Sequence, residues 1–149
     1  MKKVILLTTI FFTAAFFSES AVAQTEAQRI ELCAKMTQGA TFVSSYPVQL
    51  PAARDGERPP IFRQAVAMLK GNRYRFTICT GDDSSGEAVL EVLNAGRRLA
   101  SSYNPETGTS FINVDIECQK TDAYVITVTF RDGREGTAVA ILSHVRTLN

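Results

Sequence analysis

The chain has 149 residues, 45% of them hydrophobic and 21% charged, with a formal net charge of +1 at neutral pH. That is enough for one domain with a core of its own but not for two. A charge so close to balance gives no electrostatic reason to expect nucleic acid or an anionic membrane surface as partner.

Lys2 and Lys3 precede an uncharged run from Val4 to Ser18, and Ala21 and Ala23 put small residues where an export peptidase reads. This is the pattern of a secretory signal peptide over residues 1–23, and it directs the product to the periplasm or beyond. A membrane anchor needs about 20 apolar residues, whereas Glu19 interrupts this run and no second apolar segment follows. The expected product is therefore a single domain, residues 24–149, with no membrane span after signal removal. Without Lys2, Lys3 and Glu19 its acidic and basic side chains are equal in number. They are unevenly spread, eight basic against four acidic over residues 24–75 and three against eight over residues 76–130, which reads first as a solvated surface.

Thr25 opens the one convincing helix, with Gln28 placed as in a capping box and Gly39 placed to end it. Ala27, Ile30, Cys33, Ala34 and Thr37 share one face, so that face should lie on a sheet with Cys33 pointing inward. Phe42, Tyr46, Val48 and Leu50 then alternate with Val43, Ser45, Pro47 and Gln49, a strand that Pro47 makes an edge. A loop follows from Pro51 to Pro60. Two strands run from Ile61 to Thr80 with a turn at Lys70–Arg73; Tyr74, Phe76 and Ile78 form one face, Arg75, Thr77 and Cys79 the other. Next come the loop Gly81–Glu87, a strand from Ala88, a turn at Asn94–Gly96, a strand from Arg97 to Tyr103 and a loop to Gly108. Ser110–Phe130 holds two buried strands joined by a polar turn, Ile112, Val114, Ile116 and Cys118 sharing a face of the first and Tyr124, Ile126, Val128 and Phe130 a face of the second. Its apolar spacing echoes Phe62–Ile78, and two such arches suit two halves of a sandwich. Asp132 and Gly133 signal a hairpin into a last strand from Thr137 to Val145. The fold class expected is all-β: an antiparallel, jelly-roll-like β-sandwich of about eight strands with one short N-terminal helix.

"AMLKGNRYRFTI", "AVLEVLNAGRRLASS" and "INVDIECQKTDAYVITV" give the chain a resemblance to the β-sandwich domain of the bacterial pre-peptidase C-terminal type. More narrowly, "LKGNRYRFTIC", "CQKTDAYVITVTFRDGREG" and "AILSHV" resemble small exported proteins of Gram-negative bacteria. The likeness runs from Ile61 to Val145; Asp122 and Thr137 stand where such relatives carry Gly and Cys. It implies a sandwich that binds or stabilises, with no chemistry attached.

Candidate chemistry is sparse. His144 is the sole histidine, and Ser143 beside it must point to the opposite strand face, so the two form no dyad. Asp82, Asp83 and Glu87 offer oxygen ligands for Ca²⁺ but lack the spacing of a recognised calcium loop. Asp115 and Glu117 share a strand face, as a carboxylate pair for glycoside hydrolysis would, though two charges on a wet face are commoner. No cofactor is expected. Of the three cysteines one is left over: facing favours Cys33 with Cys118, a bulge near Cys79 would permit Cys79 with Cys118, and three buried thiols are the third possibility. The function expected is a non-catalytic binding or accessory module at the cell envelope. Its partner would be a glycan or a protein, contacted by Tyr46, Arg97, Arg98, Tyr103, Arg131 and Arg134. A structural protein pairing through an edge strand, and a small hydrolase, are the alternatives; the oligomeric state is open.

Overall fold

A computed structural model describes residues 20–149, with side chains from Glu26 onward. The basic and apolar part of the expected leader lies outside the described residues. Helix α1, Ser20–Ala34, is prolonged by a 3₁₀ turn at Lys35–Thr37. Thr25 is therefore inside the helix and not its cap; alanines at positions 21 and 23 carry almost no helix-propensity cost, so the backbone spiral continues back through them. At the other end Gln38 (φ 53°) and Gly39 (φ 80°) are both left-handed and stop the helix where expected.

Ten strands follow: β1 Thr41–Leu50, β2 Phe62–Met68, β3 Asn72–Thr80, β4 Ala88–Asn94, β5 Arg97–Ser101, β6 Tyr103–Asn104, β7 Thr109–Ser110, β8 Asn113–Glu117, β9 Asp122–Phe130 and β10 Gly136–Thr147. Eight of them make two four-stranded antiparallel sheets, ordered β1-β10-β3-β8 and β2-β9-β4-β5. Apart from the neighbours β4 and β5, successive strands of these two sheets alternate between them, in the interleaved order of a jelly roll. The fold is thus the all-β sandwich with one short helix that the sequence patterns describe, and β6 with β7 adds a small ribbon.

The core between the sheets contains Val66, Met68, Phe76, Leu90, Val92, Ile126, Val128, Ala140 and Leu142, all nearly inaccessible. Both arches cross from one sheet to the other: β2 to β3, and β8 to β9. The edge strand β1 is confirmed, and it carries Pro47 opposite Val139 and a bulge between Phe42 and Ser44, both of which discourage further pairing. β10 is different, because every residue from Ala138 to Ser143 is buried. Its even-numbered side chains face the core, while Val139 and Ile141 lie beneath α1 with Cys33, Ile30, Ala34 and Cys79.

Asp132 and Gly133 do not make a hairpin. Both have the left-handed φ, 59° and 64°, that the signal calls for, but β9 and β10 belong to different sheets. A strand with two apolar faces is best buried at the middle of a covered sheet, and β10 finds that place between β1 and β3. The genuine two-residue hairpin is β4–β5, turning at Ala95 (φ 48°) and Gly96 (φ 77°).

The disulfide is Cys33–Cys79, with Cα atoms 5.8 Å apart, and Cys118 is the free, buried thiol. Both expected pairings, Cys33 with Cys118 and Cys79 with Cys118, are therefore corrected. The chain has two interiors: Cys118 lies between the sheets, whereas Cys33 and Cys79 meet under the helix, on the outer face of the first sheet. Cys79 shares that outer face with Arg75 and Thr77 as expected; it is half-buried because α1 packs over it. Among the described residues, no helix is long and apolar enough to cross a membrane.

Candidate functional site

α1 does not cover the outer face evenly, and beside it lies a groove of about 810 Å³. One wall is the outward side of the helix, Leu32 and Met36. The other is the segment between β7 and β8, Phe111 and Ile112. The Cys33–Cys79 disulfide and Val139 form the floor, and the loop Gly81–Glu87 closes one end. Leu32 is 63% exposed, Phe111 49%, Ile112 46% and Met36 44%, so four large apolar side chains meet water around one concavity. Grouped exposure of this kind marks an interaction site more often than scattered apolar residues do.

The walls are held from behind. Carbonyls at the end of the helical segment have no partner within it; the Met36 carbonyl accepts from Asn113 Nδ2 at 3.0 Å and the Thr37 carbonyl from Arg75 Nη1 at 3.0 Å. Arg75 is itself fixed by Asp115, donating through Nε at 2.6 Å and Nη2 at 2.8 Å, with Arg73 3.2 Å from the same carboxylate. Hydrogen bonding from Arg75 holds the Asp115 carboxyl below the usual carboxylate range. Asp115 is therefore a clamped anion, and Glu117, on the same face, points to solvent; they do not form an acid and base pair.

The loop at the groove end is strapped to the start of β10. Ser84 Oγ donates to the Thr137 carbonyl at 2.8 Å, and the Thr137 hydroxyl donates to Asp83 Oδ1 at 2.8 Å. A side-chain carbon at Gly81 would stand 2.2 Å from the Thr137 hydroxyl oxygen, so only glycine fits there. Asp83 also pairs with Arg29 across the groove mouth at 3.3 Å. Glu87 pairs with Arg131 at 2.9 Å, and bonds from Ser110 and then Arg131 hold its carboxyl below its ordinary value. The calcium candidates thus turn apart, Asp83 to Thr137 and Arg29, Glu87 to Arg131. No group of three or more potential metal ligands gathers anywhere among the described residues.

Of the six residues expected to bind, two meet. The Arg131 guanidinium lies 4.3 Å over the Tyr103 ring while donating to its hydroxyl at 3.2 Å, and with Glu87 the pair backs the groove end. Arg134 braces the same loop through the Ser85 carbonyl at 3.3 Å. Tyr46 instead packs against the core. Arg97 and Arg98 stand at the far end of β4, Arg98 paired with Glu91 at 2.8 Å. Ser143 is fully buried, whereas His144 lies against Tyr74 and 3.0 Å from Asn72 Oδ1. Their opposite facing is as read from the strand.

The apolar walls of the groove, Leu32, Met36, Phe111 and Ile112, were not read as a site from the sequence. The signal was present: Leu32 and Met36 recur at i, i+4 off the buried face of the helix, and Phe111 and Ile112 are adjacent, so one strand face cannot bury both.

Neither the protein-family models nor the curated proteins contain a match to this chain. Among solved structures it is similar to the crystal structure of Aeromonas hydrophila PliG, a periplasmic lysozyme inhibitor of g-type lysozyme. The TM-score is 0.50 at 11% identity, over 72% of this chain and 89% of that one. A likeness at that identity speaks to the sandwich fold alone.

Proposed function

We propose that this is an exported, non-catalytic binding protein of the cell envelope and that its ligand is a protein. The observation that carries the reading is the groove, which offers four exposed aliphatic and aromatic side chains on walls fixed by a disulfide and by capped carbonyls. Pre-set walls bind without a further ordering cost. A glycan site would present polar groups free to bond hydroxyls, whereas here Asp83, Glu87, Arg131 and Asp115 already hold one another or their neighbours. PliG, named for inhibiting a lysozyme, is a precedent for a protein-binding role on such a sandwich, and the resemblance to pre-peptidase C-terminal domains implies binding in the same way. Export rests on the leader, residues 1–23, with the mature chain beginning at Gln24. The test is crosslinking of the tagged chain in envelope extract beside a glycan array. A saturable protein adduct with a blank array is expected; glycan binding without any protein adduct would overturn the reading.

A further inference from the structure

The groove differs along its length. Between α1 and Phe111–Ile112 it is apolar, but at the Gly81–Glu87 end three carboxylates, Asp82, Asp83 and Glu87, line it against one lining cation, Arg29. Asp83 and Glu87 are matched by Arg29 and by Arg131 behind the wall. Asp82 is exposed and makes no ion pair among the described residues. An anion entering this end would face surplus negative charge, and a cation would find an unpaired partner.

Volume limits the occupant too. About 810 Å³ lies in the upper part of the range, about 300–1,000 Å³, of sites that enclose a small molecule. It has room for a few side chains and not for a folded domain.

We infer that the groove docks a protruding segment of a partner protein that presents neighbouring apolar side chains followed by a lysine or arginine. The apolar groups would fill the space between Leu32, Met36, Phe111 and Ile112, and the cation would sit at Asp82. Fatty acids and anionic lipids match the apolar part but bring the wrong charge to the acidic end. This inference rests on the reading of the protein as a protein-binding module and adds which surface binds and what it selects.

Calorimetric titration with three short synthetic peptides tests it: one of leucine and phenylalanine ending in lysines, its twin with glutamate for lysine, and its twin with serine for the apolar residues. The first is expected to bind at least about tenfold more tightly than either twin, the order of effect of one large apolar contact or one close charge pair. Leu32→Ser and Phe111→Ser should each weaken it about tenfold, Asp82→Lys should reverse the preference between the charged twins, and Arg97→Ala, outside the groove, should change nothing. Leu32 and Phe111 are exposed, so these variants should keep the native melting temperature, which is measured alongside. Equal binding of all three peptides, no binding of any, or unchanged binding by the Leu32 and Phe111 variants overturns the inference. Repeating the envelope crosslinking with the doubly substituted Leu32→Ser, Phe111→Ser chain separates the two levels. Capture of the same protein by both chains removes the groove and leaves the binding reading intact, whereas no capture by either removes both.

Discussion

Asp115 joins three parts of the molecule: it sits on β8, binds Arg73 and Arg75 of β3, and through Arg75 reaches the Thr37 carbonyl at the end of the helical segment. Asp115→Asn keeps the shape but loses the charge, and because both side chains are mostly shielded the expected cost at neutral pH is about 1–3 kcal/mol, read by denaturant titration. The native pKa is depressed, so this contribution is fully present above the usual carboxylate value and fades as pH falls through the lower native one. The gap between native chain and variant should therefore begin to narrow below about pH 4; a gap that does not narrow at all as the pH falls further would mean that packing, not charge, is involved. Tyr124 behaves in the opposite sense. Burial, helped by Cys118, pushes its phenol up to about 12, so its contribution holds below the unfolded value and is lost as pH rises toward 12. Ultraviolet titration should show one late phenol that Tyr124→Phe abolishes. Gly81→Ala brings a methyl group against the Thr137 hydroxyl and should cost about 1–3 kcal/mol, with Thr137→Ala relieving part of it in a non-additive double variant. At this scale the sequence was partly legible. That Asp115 and Glu117 share a face follows from alternation, but the arginine that claims Asp115 lies 40 residues away, and no local pattern reports such a partner.

For α1 the decisive fact is what it rests on. Its buried contacts are a small cluster, Cys33 with Val139 and Ile141 and the half-buried Ile30, Ala34 and Cys79, apart from the main core. The disulfide spans 46 residues, a separation for which the chain-entropy model gives about 4 kcal/mol. Replacing both cysteines by serine should remove up to that amount and expose α1 to hydrogen exchange before the strands. Simultaneous exchange of helix and sheets would show that the helix is part of the main cooperative unit. Non-reducing peptide mapping should find Cys33 joined to Cys79 and Cys118 free. The end of the helix and its facing were legible, from Gly39 and from period 3.6, yet the partner of Cys33 was not, because alternation says only which strand side a residue is on. Whether that side is wet is decided by an element elsewhere in the chain. The same ignorance made Asp132–Gly133 read as a hairpin: turn geometry is local, but sheet membership is not.

At the scale of the whole molecule, period-two alternation in β3 and β9 and turns at regular intervals carried the sandwich class, because one buried face per strand suffices to define it. The groove was invisible at that level, since it is a space between elements from three parts of the chain. Export is checked by mass spectrometry of the native protein, which should begin at Gln24; an intact Met1 would contradict it. The strand order has a further effect in time. β9 and β10 are inner strands, β9 between β2 and β4 and β10 between β1 and β3, so β1 and β2 have no neighbours to pair with until the segment after Asp122 is available. Pairings over such long separations are slow to form because much chain must be ordered before any contact is gained. During synthesis the growing polypeptide therefore stays threadable, lacking the second sheet until Asp122–Phe130 arrives and the first until Gly136–Thr147 does; a chain stopped at Glu135 should show no cooperative unfolding.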